Sequence, residues 1–185
     1  YSGVDGVMIE GFGGWGWGDR FELGDWQLQM NRMLSLISKD KIVIAQNYID
    51  PNDIDDRLFV LGCYLLIKGR YSYINMDFAM EPEWFPEYEI PIGSYVGGIP
   101  QDIDALYDAN WSVYKRQYTR GLVLVNPDTT TRTIDLGRTY YLATPIGGGI
   151  IPDDGDTSAW RVTYRPVTKV TLSGGQAVIL LGAKP

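Results

Sequence analysis

Glu10 closes the short apolar run Val7-Met8-Ile9, and a glycine- and tryptophan-rich stretch, Gly11-Phe12-Gly13-Gly14-Trp15-Gly16-Trp17-Gly18, follows at once. Asp77 closes a second such run, Tyr71-Ser72-Tyr73-Ile74-Asn75-Met76. Hydrolysis of a glycosidic bond needs two carboxyl groups of this kind. One protonates the departing oxygen, and the other is the nucleophile or the base for water. Glu10 and Asp77 are therefore the candidate catalytic pair. Between them in sequence, the run Lys41-Ile42-Val43-Ile44-Ala45 ends in Gln46, Asn47 and Tyr48, whose amides and hydroxyl are suited to sugar hydroxyls, as is the amide of Asn75. Trp15 and Trp17 alternate with glycines, so they fit no regular core helix and offer flat faces for stacking. Each residue also has a plainer use: Glu10 as the partner of a cation, Asp77 as a turn cap, Asn47 as a strand-end turn, the tryptophans as a loop folded back over the strands.

Composition narrows the chemistry further. The chain of 185 residues has no histidine and one cysteine, Cys63, which lies within an apolar helical pattern. Triads built on histidine and histidine-based metal sites are excluded, and so is an internal disulfide. Catalysis, if present, falls to carboxylates, with no cofactor and no metal expected. Asp153, Asp154 and Asp156 lack the downstream glutamate of a calcium loop and read as a solvated acidic loop. The net charge of −7 argues against nucleic acid or an anionic membrane as partner, and no stretch reaches the length of a membrane span. Aromatic residues make up 13% of the chain, which suits a carbohydrate partner and equally a β-rich core.

The elements that must position these residues fall into two textures. From Val4 to Asp77 the pattern alternates strand, helix, strand, helix, strand. Trp26, Met30, Met33 and Ile37 predict a helix from an Asp25 cap to Ser38. Asp50 and Pro51 predict the cap and first turn of a second helix, with Ile54, Leu58, Leu61 and Leu65 as its buried stripe and Gly69 as its stop. Strands joined this way pair in parallel through right-handed crossovers. Residues 79–100, rich in Pro, Glu, Trp and Tyr, read as a long ordered loop with one short helical turn, and 102–110 as adding another turn. Trp84, Trp111 and Trp160 read as packing residues, Trp84 between the two halves. From Trp111 short β-type runs follow: 113–118, 122–126, 130–136, 140–143, 162–164, 167–172 and 176–181. They predict an antiparallel, sandwich-like domain, with 147–158 as a loop. The expected division is 1–110 and 111–185.

Three parallel strands cannot close a barrel, and they leave an apolar edge open. The beginning at Tyr1, in the approach to a strand, is what a mature product or a fragment would show. The layout resembles glycoside hydrolases with a (β/α)8 barrel followed by a C-terminal antiparallel β domain, and within them a group of hypothetical glycosyl hydrolases. The phrases that carry the resemblance are Asp5-Gly6-Val7-Met8-Ile9-Glu10-Gly11, Leu61-Gly62-Cys63-Tyr64-Leu65-Leu66-Ile67-Lys68-Gly69, Trp84-Phe85-Pro86-Glu87, Arg120-Gly121-Leu122-Val123-Leu124-Val125-Asn126-Pro127 and Ala177-Val178-Ile179-Leu180-Leu181. The resemblance implies that residues 1–110 are the last three strand–helix units of a TIM barrel. It places their exits at Glu10, at Gln46 to Tyr48 and at Asn75 to Asp77. About five further units would come from a missing N-terminal barrel half, in the same polypeptide or in a separate chain. It also implies action on O-glycosidic bonds of a poly- or oligosaccharide, with a secreted or cell-surface location favoured for such a substrate. The alternatives are a carbohydrate-binding protein that kept the fold without the chemistry, and a structural subunit that self-assembles through the open sheet edge.

Overall fold

The computed structural model describes residues 3–77 and 79–185. Its first part is a three-stranded parallel sheet of β1 (Gly6–Ile9), β4 (Ile42–Gln46) and β5 (Ser72–Asn75), with β4 in the centre. Between β1 and β4 come a tight hairpin of β2 (Gly14–Gly16) and β3 (Asp19–Arg20) and then helix α1 (Leu23–Ile37). Helix α2 (Ile54–Ile67) links β4 to β5.

Both predicted helices form, with shifted starts. Helix α1 begins two residues ahead of the expected Asp25 cap, after Glu22. The cap of α2 is Asp53, not Asp50, because the Asp53 carboxylate accepts from the Asp56 amide at 3.0 Å. Asp50 instead closes the preceding turn by accepting from the Asn52 amide, and Pro51 stays outside the helix. Two consecutive Asp-led turns compete in this segment, and the one that reaches an N3 amide wins.

Helix α2 is buried nearly all round, since it packs against α1 and, on its other side, against β9 and β13 of the large sheet. That double burial needs small residues at the closest approach. A Cβ on Gly62 would lie 2.5 Å from the Ala177 Cβ, so the helix can sit this close only with glycine there. Cys63 is the expected core thiol. It accepts from the Trp26 indole at 3.3 Å, and burial pushes its pKa up to about 12.

Residues 79–110 hold the two helical turns expected there and, in addition, two short strands. They contain β6 (Glu83–Trp84), 3-10 turns at Pro86–Glu89 and Asp104–Leu106, and β7 (Tyr107–Asp108). The second part is one antiparallel sheet of six strands. Besides β7 these are β8 (Val113–Tyr118), β9 (Gly121–Asn126), β10 (Arg132–Ile146), β12 (Arg161–Leu172) and β13 (Gln176–Leu181), in the order β12-β10-β13-β9-β8-β7. Four of the predicted short strands fuse into the long pair β10 and β12. The turn expected at Gly137 is a bulge between Asp135 and Tyr140 that bends the strand without ending it.

Hydrogen bonding thus gives a single sheet where a two-sheet sandwich was expected. A second layer nevertheless arises, because the far end of the β10–β12 hairpin folds over the sheet. Ile134, Leu136, Val170 and Leu172 on the hairpin share one buried cluster with Leu122, Leu124 and Leu180. Asn126 fastens this fold-over, its buried amide donating to the carbonyls of Thr130, Leu172 and Ser173. The opposite face of the sheet, with Val123, Val125, Ala177 and Ile179, belongs to the main core around α2. Residues 147–158 are not simply a loop either. Gly147, Gly148 and Gly149 adopt φ of 74°, 107° and 114°, and β11 (Gly149–Ile150) pairs with β6.

Arg116, on β8, joins the two parts. Its buried guanidinium donates to the carbonyls of Leu65, Leu66 and Lys68 at 3.2, 2.9 and 2.8 Å, at the C-terminus of α2. Those carbonyls have no partner within the helix, and the negative end of the helix dipole favours a cation there. Arg116→Met is expected to lower stability by about 2–3 kcal/mol, the usual worth of hydrogen bonds to a charged group plus the orphaned carbonyls. Urea unfolding of the variant against the unaltered protein checks this.

Candidate functional site

The register of the parallel sheet sorts its side chains into two faces. Val7, Val43 and Ser72 align, as do Ile9, Ala45 and Ile74, and this face packs on the helices. On the other face Met8, Ile44 and Tyr73 stand side by side in one row, and Met8 and Tyr73 are each 54% exposed. One step further toward the carboxyl ends, Gln46 and Asn75 pair on that same face, because side chains alternate along a strand, and Glu10 follows directly after the end of β1. The exits of β1, β4 and β5 therefore lie side by side at one end of the sheet.

The residues at this end are tied together. The Asn75 amide donates to Gln46 Oε1 at 3.0 Å and to the Asp77 carbonyl at 2.7 Å, and Gln46 Nε2 also reaches the Asp77 carbonyl, at 3.2 Å. The backbone that carries the Asp77 carboxylate is thus pinned by two side-chain amides. Glu10 lies just past β1 and is exposed. It stands two interstrand spacings from β5, about 10 Å along the sheet. Asn47 belongs elsewhere. It is 2% exposed, its amide donates to the Phe12 carbonyl, and its Oδ1 accepts from the Tyr48 amide at 2.7 Å. It holds the glycine/tryptophan segment in place.

That segment is the β2–β3 hairpin, and its glycines have definite uses. A Cβ on Gly14 would lie 2.4 Å from the Asp19 carbonyl oxygen, and one on Gly16 would lie 2.9 Å from the Tyr48 carbonyl oxygen. The tip residues Trp17 and Gly18 both have positive φ, 53° and 80°, as a tight two-residue hairpin turn requires. The Trp17 amide donates to the Tyr48 carbonyl at 2.7 Å, which docks the hairpin on the exit of β4. Gln29 on α1 clamps its base, accepting from the Gly13 amide and donating to the Gly11 carbonyl. The result is a rigid mount with both indoles facing outward. Trp15 is 69% exposed and Trp17 76%. Trp15 leans edge-on against Phe21 and helps to line a groove of 670 Å³ between β1 and α1, with Met8, Leu28 and Arg32 among its walls.

Sequence reading missed Glu83. It sits on β6, opposite Ile150 of β11, with the Asp77 carboxylate near enough to act on its carboxyl. Its Oε1 is shut off from solvent and has no protein partner. Burial, followed by the charge and hydrogen bond of Asp77 and the charge of Glu81, pushes the Glu83 pKa up to about 7. Within the sequence, Glu83 looked like one more acid in a Pro- and Glu-rich stretch. The available signal was its place six residues after a strand-ending acid, in a run that also contains Trp84. That indole stacks on Trp160, the rings 5.9 Å apart and nearly parallel at 8°.

A different acid of the stretch is structural. Glu87 is fully buried and receives two parallel hydrogen bonds from Arg57 of α2, at 2.7 and 3.0 Å. Arg57 also donates to the carbonyls of Pro51 and Gly147, so one guanidinium fastens α2, the β6 segment and the β11 segment together. Among the described residues no three His, Cys, Asp or Glu are grouped so as to hold a metal ion, and no helix is long and apolar enough to cross a membrane.

A parallel sheet whose carboxylates and amides gather at its carboxyl end is the α/β arrangement in which open-sheet and barrel enzymes place their sites. The chain belongs to hypothetical glycosyl hydrolase family 15, whose profile it matches over residues 1–122 of 185. No curated protein matches it.

Proposed function

We propose that the protein is a glycoside hydrolase acting on O-glycosidic bonds of a poly- or oligosaccharide, with its site at the carboxyl ends of β1, β4 and β5. The observation that carries this reading is the gathering of Glu10, Gln46, Asn75 and Asp77 at the carboxyl end of the parallel sheet, within the region matched by the family. Glu10 comes just after β1 and Asp77 just after β5, with the amides of Gln46 and Asn75 on the strands between them, and two carboxyl groups are what this hydrolysis needs. Gln46, Asn75 and Tyr48 would hold sugar hydroxyls, and Trp15 and Trp17 would stack on pyranose faces beside the opening.

The exposed apolar row of Met8, Ile44 and Tyr73 supports a second element of the proposal. No described strand pairs with the outer edges of β1 or β5. Open edges and an apolar face are what a barrel interior shows when only its last three strands are present. Residues 1–110 are then the end of a (β/α)8 barrel and 111–185 its β domain, and the groove between β1 and α1 receives the preceding strand–helix unit.

The test is incubation of the full-length protein with plant, fungal and bacterial polysaccharides and their oligosaccharides, followed by measurement of new reducing ends. Release from at least one glycan is expected. A protein that releases none across the panel contradicts the reading.

A further inference from the structure

Only Gly11, Phe12, Gly13 and Gly14 separate Glu10 from Trp15, and Gly11 and Gly13 have positive φ, 65° and 77°. Glycines of this kind give a chain its widest conformational freedom, so the spacing of the carboxylate from the indoles must be fixed by other groups. Two consecutive peptide units here are each held at both their carbonyl and their amide. The Gly11 carbonyl accepts from Gln29 Nε2 at 2.9 Å, and the Phe12 amide donates to the Gln46 carbonyl at 3.0 Å. The Phe12 carbonyl accepts from the Asn47 amide, and the Gly13 amide donates to Gln29 Oε1 at 2.8 Å. Between these bonds the Phe12 ring is fully buried.

Gln29 is the one side chain that grips both peptide units. The grip needs a donor and an acceptor at the same reach, which a primary amide supplies; an ionised glutamate only accepts, and asparagine is one methylene shorter. Its base is rigid, because α1 buries Trp26, Met30 and Met33 in the main core. Its place in the chain is equally telling. Glu10 comes one residue before the first of its hydrogen bonds, and Trp15 two residues after the second. The Trp17 amide then docks the hairpin tip on the Tyr48 carbonyl, so the platform is fixed at both ends.

We propose that Gln29 is a positioning residue that fixes the distance between the Glu10 carboxylate and the Trp15 and Trp17 platform, and that this clamp gives the protein a preference for oligosaccharides over short glycosides. The proposal rests on the glycosidase reading given above and adds how the two parts of the mouth are kept in register. Gln29 acts through the Gly11 carbonyl on Glu10 and through the Gly13 amide on the hairpin. Contacts made by a distant sugar ring speed the reaction only when they hold the reacting bond in place. A substrate that reaches from Glu10 to the indoles gains that advantage through a rigid connection, and loses it when the connection loosens. A substrate too short to reach the indoles has no such advantage to lose.

Two measurements on the full-length protein test this, with two variants. Gln29→Met keeps the length and removes both hydrogen bonds, and Gln29→Glu keeps the acceptor for Gly13 but turns an oxygen toward the Gly11 carbonyl. In kinetics, kcat/KM is compared between a long oligosaccharide and the shortest aryl glycoside that the protein cleaves. The unaltered protein should favour the oligosaccharide, and both variants should lose about 10-fold of that preference. A merely destabilised protein has fewer active molecules and loses equally on both substrates. Equal cleavage of both by the unaltered protein, or an unchanged ratio in the variants, therefore overturns the proposal. With Trp15→Ala and Trp17→Ala already in place, Gln29→Met should lower the ratio no further, and a full additional loss contradicts action through the platform. In amide hydrogen exchange, Gly13 should be protected in the unaltered protein and exchange about 10-fold faster in Gln29→Met, with α1 unchanged. Free exchange of Gly13 in the unaltered protein overturns the clamp itself. Should the unaltered protein cleave no glycoside at all, the parent reading fails and takes the register role with it, while exchange still reports whether Gln29 holds the hairpin.

Discussion

Arg57→Met is expected to destabilise the protein by about 3–5 kcal/mol, the cost of leaving a buried charge without its partner. Arg57 and Glu87 are 1% and 0% exposed in their side chains, and the guanidinium makes four hydrogen bonds to three segments: two to Glu87, one to Pro51 and one to Gly147. Methionine fills much of the same volume, so the loss is electrostatic more than steric. The Glu87 carboxylate would be stranded in the core and would have to take up a proton. Changing both residues, Arg57→Met with Glu87→Gln, removes the stranded charge and should recover a substantial part of the loss. Urea or guanidinium midpoints of the two single variants and the double variant give the comparison. A single-variant loss below about 1 kcal/mol, in the range of an exposed pair, would contradict this account of the bridge.

The bridge matters beyond stability. Arg57 ties the segment that carries Glu83 to α2 and to the glycines preceding β11. A Cβ on Gly148 would lie 2.9 Å from the guanidinium, so the glycine run is pressed directly onto the pair. The segment that carries Glu83 is thus held by a fully buried ion pair, and Trp84 on β6 stacks on Trp160, just ahead of β12.

Much of the frame was legible in the sequence because its signals are local. The periodicity of Trp26, Met30, Met33 and Ile37 marks α1, and all four are buried. The run Gln176–Leu181 is a strand with the bounds expected from its pattern. Gln46 and Asn75 share a face because strand alternation is a fixed geometry and the parallel register brings them level, with Glu10 directly after the end of β1. The errors lie where two local solutions competed. Asp50 and Asp53 both offer a cap, and only the distance to a backbone amide decides between them. Gly137 signals a turn, and the flanking strands continue through it as a bulge. What could not be read at all depends on contacts distant in sequence. Glu83 acquires its character from Asp77 and from a two-residue strand formed by Gly149–Ile150, which composition marks only as a loop. Asn47, polar and at a strand end, looked like a ligand for sugar, but its side chain turns inward to the Phe12 carbonyl.

The second large effect concerns Glu10, the one carboxylate on the β1 side of the mouth. It is exposed, it lies past the end of its strand, and no described cation pairs with it, so Glu10→Gln should leave folding and stability nearly unchanged. Its role in the proposed reaction is to supply electrons to the anomeric carbon, which an amide cannot do. The loss therefore falls on turnover, with substrate binding largely retained. The decisive measurement is kcat and KM of the full-length protein and of its Glu10→Gln variant on a glycan that the unaltered protein cleaves. A fall in kcat of about 10³-fold with KM within a few-fold is predicted. Turnover within a few-fold of the unaltered protein would contradict the assignment of hydrolysis to this mouth.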